Sequence, residues 1–425
     1  MKVFKFGGAS VNSVEAVKNL CTILKRFPDE KLMVVISAMG KTTNALEEVL
    51  NAYYSQASDP KELFKKVKHY HNVIITGLFP ENNESVCARV ESFYQQLESK
   101  LKTPSSESYD YEYDQIVPYG ELISTTIISE YLNANGIENQ WLDARNLIIT
   151  DYIYRDAGVN WEKTSENVSQ KAKEVFSTKS VALTQGFIGA SPEKYITTLG
   201  REGSDYTAAI LGWCLDATEV VIWKDVPGLL NADPKYFSEA EIISQISYHE
   251  AIELAYYGAS IIHPKTLQPL QNKNIPLLVK SFVNPGLKGS FIGDVLQPVS
   301  LPSYIFKKNQ VLISLQSRDF SFINEKNLSV IFETFFHHGT KINLMQNSAI
   351  SFSICVENNQ NKLPKLINEL NKYYKVKYNE NLELITIRNY SSEIIDKIVH
   401  QRKVILEQKS RVTVQLLVAD TNKTL

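Results

Sequence analysis

The chain has few cysteines and almost no net charge, and each scarcity excludes a class of protein. Its four cysteines, among 425 residues, have no paired spacing. This argues against a disulfide framework or a zinc site and favours a reducing compartment. The formal net charge of −2 leaves no electrostatic footprint for nucleic acid or for an anionic membrane. We therefore expect neither as a partner.

Long apolar runs and a secretory leader are also missing from the sequence. No stretch approaches the ~20 apolar residues that span a bilayer. The N-terminus runs directly into the segment Lys2–Gly8, which is not a signal sequence. Hydrophobic residues make up 44% of the chain and charged residues 22%. These values are typical of a globular protein of two or three domains, which we expect in the cytoplasm.

Apolar strands alternate with amphipathic helices over residues 1–295. Strands are predicted at 2–6, 32–37, 115–118, 139–143, 181–187, 194–199, 218–224 and 276–280. Helices are predicted near 13–26, 42–57, 61–78, 84–101, 120–135, 160–176, 204–215, 247–258 and 264–271. The alternation predicts an α/β sandwich with a mainly parallel sheet, in which ligands lie at the carboxyl ends of the strands.

A linker rich in proline and glycine follows at 285–303, and the rhythm then shortens. Residues 309–388 read as a βαββαβ unit of the ferredoxin-like type. A partial second unit occupies 382–420 and lacks its closing helix and strand, part of which a strand near 304–308 could supply. We therefore divide the chain into domains at 1–295 and 300–425.

The segment Thr197–Asp205 carries the most chemical information. Two glycines lie between a predicted strand and a predicted helix, with Ser204 or Asp205 placed to cap that helix. A helix N-terminus beside a glycine turn binds anions, and Arg201 adds a guanidinium group suited to a carboxylate or phosphate. The alternative is an ordinary strand–turn–helix with a surface arginine, and this segment alone favours neither.

A second strand–turn–helix stands at the N-terminus, where Lys5 precedes Gly7 and Gly8. Backbone N–H groups of such a turn point at an anion, although a lone strand lysine more commonly faces solvent. The nearby Gly40-Lys41-Thr42 imitates a Walker A loop. Position 35, which that loop requires to be glycine, holds valine, so a P-loop is excluded.

Motifs in a fixed order give the chain its resemblance to a family. They are Lys5-Phe6-Gly7-Gly8, Ser37-Ala38-Met39-Gly40, Gly120-Glu121, Leu199–Asp205, Trp223–Gly228 and Gly258–Pro264, followed by the two ferredoxin-like units. The chain resembles the aspartokinases over almost its whole length. The resemblance implies an amino acid kinase-type three-layer sandwich with C-terminal ACT units, the second truncated.

The activity that the resemblance implies is transfer of the γ-phosphoryl group from Mg²⁺-ATP to the side-chain carboxylate of L-aspartate. That step leads towards lysine, threonine and methionine. A carboxylate with a pKa near ~4 needs no general base at neutral pH. It needs cancellation of the repulsion between two anions, and alignment.

Site residues are carried over position by position from the family pattern. Catalysis falls to Lys5 and Asp205, and phosphate contacts to Lys5, Gly7, Gly8, Ser37, Gly203 and Ser204. Substrate contacts fall to Thr43, Glu121 for the ammonium group, and Arg201 for the α-carboxylate. Taken alone, Glu121 reads as an acid that a helix dipole satisfies, and Thr43 reads as a helix cap.

Nucleotide contacts are matched to Lys224, Asp225, Leu230, Lys235, Ser260 and Ile261. Three of them depart from the family pattern, because Leu230 and Lys235 replace a usual tyrosine and arginine and Ser260 replaces a common lysine. The departures remove a stacking ring and a planar cation. They should change the contacts with ATP and leave Lys5, Arg201 and Glu121 intact.

Regulation is implied by the tail. Asp319 and Ser321 match the effector loop of the first ACT unit, where lysine or threonine would bind, and ACT units imply a homodimer. No residues are assigned to a metal; the stretch Tyr109–Asp114 reads as a solvated loop. Two alternatives stay open: an amino acid sensor that has lost turnover, and a kinase for another carboxylate substrate.

Overall fold

The computed structural model describes residues 1–56, 58–105, 107–237, 239–259, 262–295, 301–319, 321–400 and 402–419. Two compact units emerge. The first comprises Met1–Leu229, Ile242–Ile252 and Ile261–Val299, and the second comprises Leu230–Glu241, Glu253–Ser260 and Ser300–Leu425. The second unit therefore takes in two short segments that precede the linker, which a single boundary near residue 295 does not anticipate.

Helices and strands alternate as predicted before the linker. The strands are β1 (Lys2–Phe6), β2 (Leu32–Ile36), β3 (Asn139–Leu142), β4 (Val181–Gln185), β5 (Ile188–Ala190), β6 (Ile196–Thr198), β7 (Glu219–Lys224), β8 (Leu229–Leu230), β9 (Ile242–Ile243), β10 (Gln245–Ser247), β11 (Leu277–Ser281) and β12 (Ser290–Gly293). The α-helices are α1 (Val14–Leu24), α2 (Thr42–Ser55), α3 (Pro60–Leu78), α4 (Glu84–Lys100), α5 (Tyr109–Ile116), α6 (Tyr119–Ala134), α7 (Trp161–Val175), α8 (Gly203–Cys214), α9 (Tyr248–Tyr257) and α10 (Pro264–Asn272).

The main sheet has the order β10-β12-β11-β7-β1-β2-β4-β3. Its strands from β11 to β3 are parallel, and β12 joins β11 in the antiparallel sense. Every residue of β2 is buried, as an unbroken apolar run predicts for a central parallel strand. Strand β1 lies between β7 and β2, so Lys5 stands near the carboxyl end of a strand at the middle of the sheet.

The strand predicted at 115–118 is wrong, because this stretch closes helix α5 and enters α6. Ser108 caps α5 by accepting a hydrogen bond from the Tyr111 N–H (3.3 Å). The acids Asp110 and Glu112 lie in its first turn, where they suit the helix dipole. The acidic, aromatic stretch is thus a helix rather than a solvated loop, and Asp114 is fully buried within it.

The strand predicted at 194–199 is shorter and belongs to another sheet. Residues 196–198 form β6, which pairs in the antiparallel sense with β5. The glycine turn that follows therefore extends from this two-stranded sheet rather than from the main one. Gly200 has φ +78°, and a Cβ there would lie 2.5 Å from Asp156 Oδ1, so the turn requires glycine.

The second unit contains an antiparallel sheet. Its strands are β13 (Ser303–Gln316), β14 (Ile342–Asn347), β15 (Ser351–Glu357), β16 (Lys375–Arg388), β17 (Lys403–Lys409) and β18 (Thr413–Ala419), in the order β14-β15-β13-β16-β18-β17. Helices α11 (Glu325–His337), α12 (Leu363–Leu370) and α13 (Ser392–Val399) accompany them. Leu366 and Phe335 pack in one apolar cluster with Ile313 of β13.

Strand β13 serves both ferredoxin-like units. Residues 310–316 pair with β15, which makes the first unit complete. Residues Ser303–Lys307 pair with Leu384–Arg388 of β16, so this half takes the place of the fourth strand of the shortened second unit. The strand proposed near 304–308 thus has the position expected for it. Together with the mainly parallel sheet, this arrangement confirms the predicted fold class.

Candidate active site

The centre of the candidate site is a buried ion-pair cluster. Lys5 Nζ lies 2.6 Å from Asp205 Oδ1, and Lys224 Nζ lies 3.8 Å from Asp205 Oδ2. Asp205 is 3% exposed and Lys5 is 9% exposed. Burial alone would raise the pKa of Asp205, but the two ammonium groups outweigh it and hold that pKa below its ordinary value. Two cations are thus fixed around one carboxylate.

Three separate elements bring these charges together. Lys5 lies on β1, Lys224 ends the neighbouring strand β7, and Asp205 lies in the first turn of α8. The predicted capping role of Ser204 or Asp205 is wrong, because the N-cap position is Glu202, which has φ +55° and makes no side-chain cap. Asp205 is instead turned to the lysines. The Glu202 carboxylate accepts a hydrogen bond from the His263 N–H (2.9 Å).

The glycines after β1 bring the backbone close to Lys5. A Cβ at Gly7 would lie 3.3 Å from Lys5 Nζ, and one at Gly8 would lie 2.8 Å from the Ala38 carbonyl oxygen. The Gly40 N–H donates to the Gly8 carbonyl (3.0 Å), which joins this turn to the one after β2. Side chains larger than hydrogen would therefore disturb two loops at the carboxyl ends of neighbouring strands.

Glu121 is a buried carboxylate with one unused oxygen. It is 3% exposed, and its Oε1 accepts a hydrogen bond from the Ala38 N–H at 3.3 Å. Its Oε2 has no hydrogen-bond partner among the described residues. Burial raises the pKa of Glu121 to about 8, although the hydrogen bond from Ala38 lowers it. Such a group is suited to receive a cation that arrives with a ligand.

One cavity of about 580 Å³ joins these groups. Of the site residues predicted from the sequence, those that line the cavity are Lys5, Ser37, Thr43, Glu121, Arg201, Gly203, Ser204, Asp205 and Lys224. Lysine ammonium groups stand near one carboxylate, and a second carboxylate and a guanidinium group line the same space. A zwitterionic ligand and a phosphate group therefore both find complementary charges.

Comparison with known proteins then decides the family. The model of the amino acid kinase family matches residues 1–281. Aspartokinase 2, a chloroplastic protein of Arabidopsis thaliana, is 30% identical in an alignment that covers 98% of this chain and 81% of the relative. The chain belongs to the aspartokinases.

Solved aspartokinase structures agree with the fold. Escherichia coli aspartokinase III in complex with aspartate and ADP superposes with a TM-score of 0.82 at 25% identity. The same enzyme in complex with lysine and aspartate gives a TM-score of 0.81 at 26% identity. Both matches cover 99% of this chain and 96% of the other. The likeness therefore spans both compact units.

Several residues matched to the aspartokinase pattern stand outside the cavity lining. Gly7 and Gly8 follow Lys5 in the chain but do not line the cavity, and Asp225 is exposed after β7. Leu230 and Lys235 belong to the second compact unit. Asp319 and Ser321, also in that unit, are exposed and joined by a 2.6 Å hydrogen bond from the serine hydroxyl. Ser260 and Ile261 lie outside the described residues.

Sequence reasoning missed Tyr113, Arg155 and Phe187, which also line the cavity. Tyr113 lies in the stretch Tyr109–Asp114, which is interpreted from the sequence as a solvated loop. Arg155 and Phe187 have φ +66° and +71°, a conformation that non-glycine residues rarely adopt and that no sequence signal announces. Both residues lie outside the motifs that the chain shares with the aspartokinases.

Within the described ranges, no three or more His, Cys, Asp or Glu side chains form a group that could hold a metal ion. Helices in this part of the chain also lack the combined length and apolar character of a membrane span.

Proposed function

We propose that the chain transfers the γ-phosphoryl group of ATP to the side-chain carboxylate of L-aspartate, giving 4-phospho-L-aspartate and ADP. The observation that carries this proposal is that one cavity is lined by Lys5, Lys224, Asp205 and Glu121, whose Oε2 has no hydrogen-bond partner among the described residues. The aspartate and ADP held by the structurally similar Escherichia coli enzyme support it. Aspartate-dependent release of ADP by the purified chain is the direct test.

The chemistry needs electrostatics more than acid–base catalysis. A side-chain carboxylate oxygen attacks the γ-phosphorus, an O–P bond forms, and the bond to the β-phosphate oxygen breaks, so that ADP leaves. The carboxylate is already ionised at neutral pH. Lys5 and Lys224 would offset the charge on the transferring group, and Asp205 would hold both ammonium groups in place.

Other groups that line the cavity suit the amino acid backbone of the substrate. Glu121 would receive the α-ammonium group, which supplies the missing partner of its Oε2. Arg201 is exposed and makes no hydrogen bond or ion pair with the described residues, so its guanidinium group is available for the α-carboxylate. Thr43, at the start of α2, would add a polar contact.

ATP would arrive with Mg²⁺, which prefers oxygen ligands and commonly keeps several waters beside phosphate oxygens. The described residues contain no cluster of protein ligands that fits a resident ion. Nucleotide contacts are proposed for Lys224, Asp225, Leu230, Lys235, Ser260 and Ile261 from the family pattern.

Replacing Arg201 with Lys should raise the KM for aspartate much more than the KM for ATP. The substitution keeps the charge but removes the bidentate fork that matches a carboxylate. Steady-state kinetics with each substrate varied in turn measures the two constants. An effect confined to ATP would mean that the loop from Gly200 to Asp205 holds phosphates, and that aspartate lies elsewhere in the cavity.

Regulation by an amino acid is proposed from the second unit. Its complete ferredoxin-like unit carries the loop with Asp319 and Ser321, and the lysine complex of the Escherichia coli enzyme supports lysine as an effector, with threonine as the alternative. Asp319 accepts hydrogen bonds from both the hydroxyl and the N–H of Ser321. Pairing of ACT units between two copies of the chain would give a homodimer.

We expect millimolar lysine to lower the turnover rate, and Asp319→Ala with Ser321→Ala to weaken that inhibition. Those changes remove the hydrogen bonds that shape the proposed effector loop. Rates with lysine and threonine, compared between this double variant and the unchanged chain, provide the measurement. Inhibition that survives the double change would place the effector elsewhere, and the absence of any response would leave the tail as an assembly element.

A further inference from the structure

Arg155 is a cation of the cavity that has no role in the phosphoryl transfer and substrate binding proposed so far. It lines the same space as Arg201. Its Nη1 lies 3.0 Å from Asp110 Oδ1, and both side chains are about half exposed. Its guanidinium carbon lies 4.6 Å from the centre of the Tyr113 ring. The ring orients the guanidinium group, while a solvent-exposed ion pair neutralises it little, so the group retains capacity for an anion.

Contacts of Arg155 lead to the helix that carries a proposed contact of the amino acid. The Tyr113 hydroxyl donates to Glu47 Oε1 (2.9 Å), and Glu47 lies on α2 one turn after Thr43. Arg155 is therefore tied through Tyr113 to the helix that begins at the proposed substrate contact. Lys5 and Lys224, by contrast, stand on strands of the main sheet.

A buried carboxylate fixes the backbone of Arg155. Asp114 Oδ2 accepts hydrogen bonds from the N–H groups of Arg155 (3.0 Å) and Thr198 (2.9 Å). Asp114 Oδ1 accepts one from the Thr198 hydroxyl (2.7 Å). Burial raises the pKa of Asp114 to about 6, although the hydrogen bonds from Thr198 and Arg155 lower it. One side chain thus holds two segments that reach the cavity.

Each of the two segments that Asp114 holds contains an arginine. Thr198 comes three residues before Arg201, across the turn at Gly200. Arg155 has φ +66°, which costs energy for a non-glycine residue and persists where the surroundings enforce it. The hydrogen bond from its N–H to Asp114 supplies such a constraint. The two arginines are therefore positioned from a common anchor.

We propose that Arg155 binds the α-carboxylate of the amino acid substrate together with Arg201, and that Asp114 is the positioning residue for both. The inference rests on the proposed function and refines its substrate class. The site selects an α-amino acid with a free α-carboxylate, since two guanidinium groups would lose their common partner in an α-amide.

The test compares L-aspartate with its α-amide, in which the α-carboxylate is neutral. Dissociation constants of both compounds are measured by calorimetry in the presence of Mg²⁺-ADP, for the unchanged chain and for Arg155→Gln. We expect the substitution to weaken aspartate binding about tenfold while leaving α-amide binding nearly constant. Equal weakening of both compounds, or of neither, would overturn the role of Arg155.

Arg89 provides a matched control. It is a half-exposed arginine that pairs with Glu130, its guanidinium carbon lies 5.9 Å from the Trp141 ring centre, and it does not line the cavity. Arg89→Gln should leave both dissociation constants unchanged. If aspartate binding falls in Arg155→Gln but the unchanged chain releases no ADP, the binding inference stands and the kinase proposal fails.

The positioning role of Asp114 is tested by Asp114→Asn. We expect the aspartate KM to rise about tenfold with kcat within about threefold, because the lysines and Asp205 are untouched. The aspartate KM of the double variant Asp114→Asn/Arg155→Gln should be at most about twofold higher than that of the single variant with the higher KM, as expected for coupled residues. Fully multiplicative effects, or a loss confined to kcat, would contradict the role; Arg155→Gln still tests the contact if Asp114→Asn does not fold.

Discussion

Lys5→Ala should lower kcat by a factor of at least ~100 while the chain remains folded. A desolvated cation beside a developing phosphoryl charge contributes roughly 3 kcal/mol to transition-state stabilisation, which corresponds to about two decades in rate. The strand needs only an extended residue at this position, and its partners on both sides stay in place. Asp205 keeps Lys224 as its second cation. Steady-state kcat, with the Tm of each variant, measures the effect.

Lys2 is the matched control on the same strand. Its ammonium group pairs with Glu30 at 2.8 Å and Glu219 at 3.4 Å, and it does not line the cavity. Lys2→Ala should therefore retain kcat within about twofold, since surface ion pairs contribute little. Near-normal turnover in Lys5→Ala would remove the catalytic assignment of that lysine.

Glu121→Gln should abolish most aspartate binding and yet stabilise the unliganded fold. The charged hydrogen bonds to the substrate ammonium group are lost, and a buried partner of that kind is worth about 2–3 kcal/mol, or roughly 30- to 150-fold in KM. Without ligand, however, the carboxylate is buried, and its Oε2 has no hydrogen-bond partner among the described residues. A neutral amide removes the cost of burying the ionised form, so the Tm at pH 8 should rise by at least about 2 °C.

The pH dependence of Glu121 has a definite sign. Its pKa in the folded chain, about 8, lies above the ordinary value of a glutamate. Between those two values the folded state binds more protons than the unfolded state, so this residue lowers stability as pH rises. The ammonium group binds the ionised form, so aspartate affinity should increase from pH 7 to pH 8.5. A Glu121→Gln variant with unchanged KM would contradict the ammonium contact, and a stability that does not fall between pH 5 and pH 8 more steeply in the unchanged chain than in this variant would contradict the stability statement.

Elements of the fold could be predicted from the sequence where the local sequence pattern is strong. Strand β2 is one unbroken apolar run, and its burial could be predicted with no other information. The stretch 115–118 failed because Ile116, Val117 and Pro118 imitate a strand start, whereas the cap at Ser108 lies upstream and decides for a helix. The apolar composition of residues 116–118 favours a strand, but the helix cap several residues upstream determines the structure.

Some residues of the candidate site could likewise be predicted from a local pattern, and others could not. Lys5 precedes one glycine-rich turn and Arg201 stands in another, so the chemistry of both is visible in the sequence, and both line the cavity. Arg155 and Asp114 carry no such signal, because their relation depends on a fold that brings α5 beside β6 and residue 155. A hydrogen bond between residues 41 positions apart is a property of the tertiary structure alone.

Trapping of the product with hydroxylamine tests the central claim most directly. An acyl phosphate reacts with hydroxylamine to give a hydroxamate, so the purified chain incubated with Mg²⁺-ATP, L-aspartate and hydroxylamine should form aspartate 4-hydroxamate in step with ADP. Glutamate in place of aspartate should give little product. Formation of 4-hydroxamate that disappears in Lys5→Ala is the predicted result. ADP release that does not depend on aspartate, or no hydroxamate from a folded chain that binds ATP, would contradict the account.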